Sequence, residues 1–403
     1  MISIITDFYL LIIALLTFFL PFWGSAVVLA VSTIETAYLV THFGSHSIVH
    51  LTCMAFLLGS TAKAIHKKQI NWDFAIPFIL ILLVEAFSIP FSLHPITAGW
   101  HALHMGAYAL TAYFIAQSIS YHKHIQTLIY ILYGCLILSA ALTFLQYLFQ
   151  PNQTYFHGTG GFFDWNFYPI FLMSLVPFIA HELKKPLKPN TKVFFISLMT
   201  LAIILILASN SRTGLLIMLF GLSLLFPTGL IDKKYLPWLI PVFLIGLYLF
   251  SQILGHYSLS LTEKIGQWIS SERLQERFYT QLFALETFAK HPLLGVGSGQ
   301  LEQYFHWLHP QTVPQANGTV STLPVILGEL GIFGGIAYAY LIVALFKGIL
   351  GTGLKNQINK TVIISIITVI FASLFHTIHS QMYIWCFIGL LFGYINTAKD
   401  NQG

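Results

Sequence analysis

The residues best suited to chemistry in this chain are its three arginines, Arg212, Arg273 and Arg277. A guanidinium grips phosphate through two parallel hydrogen bonds and keeps its charge when water is removed. Arg273 and Arg277 are one helical turn apart and can address one ligand. Arg212 follows a long apolar run and has no acidic neighbour in sequence. A bound anion is one reading of the three. Salt bridging to Glu263, Glu272, Glu276 or Glu286 is the other, and it suits the pair better than Arg212.

Histidine supplies a second set. His306 and His309, and His376 and His379, are spaced i,i+3, which suits a metal, but no third ligand is spaced to complete either pair. A histidine acting as general base beside an anion site is the alternative. Glu35 and Glu85 fall inside apolar runs, where an acid is either functional or hydrogen-bonded to a neighbouring helix. Asp164-Trp165-Asn166 precedes another apolar run and either caps it or meets a ligand. The alternating glycines of His291-Pro292-Leu293-Leu294-Gly295-Val296-Gly297-Ser298-Gly299 have the look of a phosphate loop. That loop requires a preceding strand, which nothing here provides, so a tight backbone turn is the reading taken.

The elements that must position these residues are helices in a membrane. Apolar residues make up 56% of the 403 and charged ones 8%, with a mean hydropathy of +0.77, far from soluble-domain composition. Apolar runs cover roughly 4–21, 23–41, 46–65, 74–92, 97–119, 125–149, 165–182, 192–209, 212–229, 236–255, 321–349, 361–379 and 382–397. Their lengths suit membrane-crossing helices, and they lack the alternation of barrel strands. The expectation is an all-α polytopic integral membrane protein. It has about twelve or thirteen transmembrane helices, a single membrane domain over 1–403, and one long external loop over 256–320 containing an amphipathic helix. The first run has no basic leader and no small-residue cleavage site, so it reads as a membrane helix rather than a signal peptide. Cys53, Cys135 and Cys386 lie in apolar runs and read as packing. The net charge of +5 is carried by lysines between hydrophobic segments, so it reflects topology and not nucleic acid.

Lysine sets the orientation. Lys63, Lys67 and Lys68, then Lys123, then Lys184, Lys185, Lys188 and Lys192, then Lys233 and Lys234, then Lys347, Lys355 and Lys360 occupy loops that alternate consistently. The positive-inside rule makes these loops cytoplasmic. All three arginines then face outward, as do 150–164 and 256–320. Within the long loop, residues 271–290 show helical spacing, with Ser270 or Ser271 as N-cap and Leu274, Phe278, Leu282, Leu285 and Phe288 or Ala289 on one face. Such a helix either lies on the bilayer surface or roofs a cavity for a lipid substrate.

Four segments, in order, resemble the O-antigen ligase and polymerase family of bacterial envelope glycosyltransferases. Gly161-Phe162-Phe163-Asp164-Trp165-Asn166 is similar to its glycine–aromatic–Asn helix entry. Ser209-Asn210-Ser211-Arg212-Thr213-Gly214-Leu215-Leu216 is similar to its Ser-Arg-x-(Gly/Ala)-Leu-Leu signature. Arg277, fourteen residues before His291, matches its Arg…His-Pro-Leu-x-Gly-x-Gly segment. Glu329-Leu330-Gly331-Ile332-Phe333-Gly334 resembles its Glu-Leu-Gly-x-x-Gly.

The resemblance implies transfer of a glycan from undecaprenyl diphosphate to lipid A core, a growing glycan or a protein. The reaction would occur on the periplasmic face of the bacterial inner membrane, without cofactor or metal. By this likeness Arg212 and Arg277 hold the diphosphate with Arg273 assisting, and Asn166, Asn317 and Glu329 serve the acceptor or glycan side. The family's His-Asn, about nine residues before the Glu, is not matched, since that count reaches Val320-Ser321. His309 then substitutes, or another base acts, or activity is lost. A non-enzymatic reading, as a transporter of an anionic lipid or solute or an inactive relative, stands as the alternative. A transporter should show repeated halves with broken helices in corresponding places, and none is evident.

Overall fold

The computed structural model describes residues 2–33, 48–67, 75–149, 159, 166–209, 211–230, 271–308, 321–353 and 357–400. Among them the chain is helical, in chain order α1 (Ile2–Phe19), α2 (Pro21–Ser32), α3 (Ile48–Lys67), α4 (Ala75–Ser88), α5 (Pro95–Ser118), α6 (His122–Phe149), α7 (Phe167–Lys184), α8 (Pro189–Ala208), α9 (Arg212–Leu225), α10 (Ser271–Lys290), α11 (Leu301–Leu308), α12 (Thr322–Gly351), α13 (Gln357–Ser373) and α14 (Met382–Asp400). No strand occurs among the described residues. Pro21, Pro95 and Pro189 open α2, α5 and α8, the position where proline's missing N–H is not needed and its φ suits the helix.

Residues 122–148, Pro189–Ala208 and Thr322–Gly351 are each long and apolar enough to cross a membrane, and α2, α4, α9, α13 and α14 contribute shorter apolar helices. The rim of the bundle confirms the solvent it is built for. Leu58, Ile65, Phe87, Ile96, Phe144 and Val193 all stand outward and exposed, as lipid permits and water does not. The chain is a multi-pass membrane protein. The run 236–255 and part of 23–41 lie outside the described residues, so the count of twelve or thirteen spans remains an expectation. The three cysteines are free and buried, in keeping with the packing reading.

Helix α7 is the axis. Every residue from Phe167 to Ala180 is buried, because α8, α9 and α13 pack around it. Close approach comes from small residues, as membrane helix packing requires. Gly389 of α14 lies against the backbone of Ala112 in α5. A second, smaller core sits at one end of the bundle. Phe283 and Ala284 of α10, Leu301, Tyr304 and Phe305 of α11, Val296 between them and Val325 of α12 form it.

That smaller core shows which face of α10 turns toward the protein. Phe278, Leu282 and Leu285 are exposed, while Phe283, Ala284 and Thr287 are buried. The helix carries two stripes: Phe283, Ala284 and Thr287 turn inward, and Phe278, Leu282 and Leu285 face out. Gly328 lies against the backbone of Ala284 there, a close approach that a side chain at 328 would crowd. Helix α11 was not foreseen within the loop.

Candidate functional site

The most informative local structure is a break in α12. Gly331 adopts φ 63°, ψ −159° inside the helix, a conformation essentially reserved for glycine. The break leaves unmade the two bonds that Ile332 and Phe333 would donate to Gly328 and Glu329. Residues 292–297 take their place. Val296 N–H donates to the Gly328 carbonyl (3.0 Å) and Gly297 N–H to that of Glu329 (2.9 Å), while Ile332 N–H donates to the Pro292 carbonyl (2.8 Å) and Phe333 N–H to that of Leu293 (3.5 Å). The His-Pro-Leu-Leu-Gly-Val-Gly segment is thus inserted into the ladder of α12. No backbone group at the break is stranded in a low-dielectric interior.

Glycine makes the insertion possible. A Cβ on Gly295 would overlap the backbone of Gly328 and Glu329, and one on Gly331 would overlap Leu293. Gly295, Gly297 and Gly299 all have positive φ, which bears out the tight-turn reading of the alternating glycines. Two motifs separated in sequence are one object in space.

The side chain of Glu329 continues the same join. Its carboxylate accepts from Gly299 N–H (2.9 Å) and Leu301 N–H (3.3 Å). It therefore caps the start of α11 from another helix, where a negative charge also suits the helix dipole. Ser298 is held on the other side of the loop. Its N–H donates to Ser88 Oγ (3.2 Å), its hydroxyl donates to Glu85, and its Oγ lies 2.8 Å from His101 Nδ1. Glu85 is buried at 2% exposure and Ser298 at 1%. Tyr338 lies within electrostatic reach of both Glu85 and Glu329, and its ring meets that of His379 edge-on at 5.9 Å.

A second join brings in α7 and α9. Ser211 is the N-cap of α9, and its hydroxyl oxygen accepts from Gly214 N–H (3.0 Å). The Ser211 hydroxyl itself donates to Asn166 Oδ1 (2.8 Å). Asn166 precedes α7 but makes no side-chain cap there; it ties the entry of α7 to the entry of α9. Gly214 packs on Pro169, so the two helix starts are in close contact. Arg212 is the first residue of α9, at a helix N-terminus whose free N–H groups favour anions.

The two joins belong to one end of the bundle. The rings of Phe167 and His376 are 5.8 Å apart. Thr322 at the start of α12 donates its hydroxyl to the His376 carbonyl (2.6 Å) and accepts from Ile378 N–H (3.0 Å). His376 and His379 are both buried, His376 against Phe167 and Thr322 and His379 against Tyr338. His306 is exposed on α11, 4.0 Å from Glu302.

Arg273 and Arg277 are on α10, one turn apart, as expected from spacing. His309, Asn317 and Glu35 lie outside the described residues. The structure thus brings Asn166 to the Arg212 segment, and Glu329 and Glu85 to the inserted loop. His101, Ser298 and the Gly331 break were not singled out from sequence. Only the i,i+3 spacing of His101 and His104 on one helix hinted at the first.

Comparison with curated proteins returns no match. Comparison with protein families does: the family model described as O-antigen ligase matches residues 197–339. That stretch holds the cap of α9, both arginines of α10, the inserted loop and the break in α12, and its match supports assignment to the O-antigen ligase/polymerase family.

Proposed function

We propose that the protein transfers a glycan from undecaprenyl diphosphate to an acceptor hydroxyl on the periplasmic face of the bacterial inner membrane. The acceptor is lipid A core, a growing polysaccharide or a protein. One observation carries the reading. The family match spans Arg212, α10 and the inserted loop, and the fold gathers the start of α9 and the loop after α10 at one end of the bundle. A diphosphate leaving group needs fixed positive charge in a site from which water is excluded. Arg212 and Arg277 fill that role with Arg273 beside them, and Asn166, Asn317 and Glu329 serve the acceptor or glycan side. For Glu329 this service runs through the loop it holds.

An apolar groove of about 340 Å³ is lined by Thr322 and His379 together with Ile326, Leu345, Ile370 and Leu391. Such a wall suits an isoprenoid chain approaching from the bilayer.

The test is the conservative exchange Arg277→Lys, which keeps the charge and loses the bidentate geometry. Transfer should fall by roughly 10²–10³-fold, as for loss of one preorganised donor. Lipid-linked glycan should accumulate in a deletion strain and be consumed again on complementation with the natural protein. Unchanged pools in the deletion strain, or full transfer by Arg277→Lys, would sink the reading.

A further inference from the structure

We propose that His101 is the base that removes the acceptor hydroxyl's proton, held for that task by Ser298 and Glu85. The proposal deepens the glycosyl-transfer reading and rests on it.

Hydrogen-bond bookkeeping assigns the tautomer. A serine hydroxyl has one proton, and Ser298 donates it to Glu85. At 2.8 Å from His101 Nδ1, the Ser298 oxygen can then only accept. The proton of the neutral imidazole therefore sits on Nδ1, and Nε2 is left with a bare lone pair. Among the described residues no protein group bonds to Nε2. A histidine with one nitrogen committed to a hydrogen-bonded carboxylate relay and the other open is the arrangement that general bases require.

The surroundings support the assignment. Glu85, Ser298 and His101 come from α4, the inserted loop and α5, and only His101 among them is partly exposed. Its ring is oriented by backbone contact, since a Cβ on Gly299 would overlap it. The ionisable groups around it are Glu85, His104 on its own helix and His379, with Glu329 and Tyr338 behind Glu85. Glu85 is buried and accepts from the Ser298 hydroxyl, so it fixes Ser298 and, through it, the ring of His101. Ser298 also belongs to the loop that continues from α10, so base and diphosphate-holding arginines share a scaffold.

The step balances. The acceptor O–H proton moves to Nε2, and the acceptor oxygen forms its bond to the anomeric carbon. The bond from that carbon to the diphosphate oxygen breaks, and its electron pair leaves with the diphosphate. The imidazolium afterwards releases its proton to water. His101 is a catalytic residue in this scheme, while Ser298 and Glu85 are positioning residues.

The experiment adds purified full-length variants to membranes of the deletion strain, which carry the native donor and acceptor. The natural protein should consume lipid-linked glycan and form product. His101→Gln should lower kcat by roughly 10²–10⁴-fold, the range for a lost general base, with KM for donor nearly unchanged. His101→Ala should regain part of its rate when imidazole is added, whereas the natural protein should not respond. Ser298→Ala should fall between the two, with its KM also kept. Full kcat in His101→Gln overturns the base assignment alone. So does a rate loss in His101→Ala that imidazole leaves untouched, because a purely structural role would behave that way. If the natural protein consumes no lipid-linked glycan, the transferase reading fails and takes this proposal with it.

Discussion

The entry of α9 and the break in α12 stand at the same end of the bundle and are built by opposite means. At α9 the work is done by side chains. Ser211 caps the helix and Asn166 holds Ser211, so the segment around Arg212 depends on two small polar residues. At α12 the work is done by backbone, with four main-chain bonds between residues 292–297 and 328–333. The difference teaches what each join can tolerate. A side-chain cap loses its own energy when cut. A backbone insertion that needs glycine at particular places fails as a unit.

The largest effect is therefore expected at Gly331. Alanine there would occupy a conformation that costs about 1–3 kcal/mol and would meet the Leu293 backbone as well. Gly331→Ala should lose the inserted loop, with a fall in melting temperature and loss of transfer together. A Gly331→Ala protein that melts and reacts like the natural one would show that the loop is not fixed by this insertion.

Next comes Ala284, wholly buried in the smaller core that α10 shares with α11 and α12. Ala284→Leu overpacks a close crossing, for which about 1–3 kcal/mol is typical. A thermal melt in detergent that shows no destabilisation would show that α10 does not turn this face into the smaller core.

How much was legible follows the same division. The apolar runs at 125–149, 192–209 and 321–349 became α6, α8 and α12 with ends within a few residues, because length and hydropathy decide a membrane helix. Ser211-Arg212 was legible as a motif, since a cap is local. The insertion was visible only as two glycine-bearing segments. Hydropathy does not report that one replaces the missing bonds of the other, and no local propensity places Glu329 against Gly299. His101 was passed over for a related reason: its partners Ser298 and Glu85 are brought to it by the fold from far along the chain.

The cap at α9 should show a smaller effect than either change above. Ser211→Ala removes the acceptor for Gly214 N–H and the donor to Asn166, and about 1 kcal/mol is usual for such a cap. Combining it with Asn166→Ala should cost less than the sum of the two singles, because both act through one chain of bonds. Additive losses in thermal melts would mean that Asn166 acts elsewhere, and the link between the entries of α7 and α9 would then not be what holds the Arg212 segment.

The smallest effect is expected on the outer stripe of α10. Leu285 is 42% exposed, one position from Ala284, which is 0% exposed. Leu285→Gln should change stability by less than about 0.5 kcal/mol, as for surface positions free of special contacts. Its rate of transfer then separates two uses of the stripe. If the stripe merely rests in solvent, the rate is unchanged. If it lies on the bilayer or against a lipid substrate, the rate falls while the melting temperature holds, and Phe278→Gln and Leu282→Gln fall with it. We expect the second outcome, because three large apolar residues on one outward stripe of a helix suit a bilayer or a lipid better than water. Equal rates in all three variants would strip the stripe of that role and leave the inserted loop as the sole business of α10.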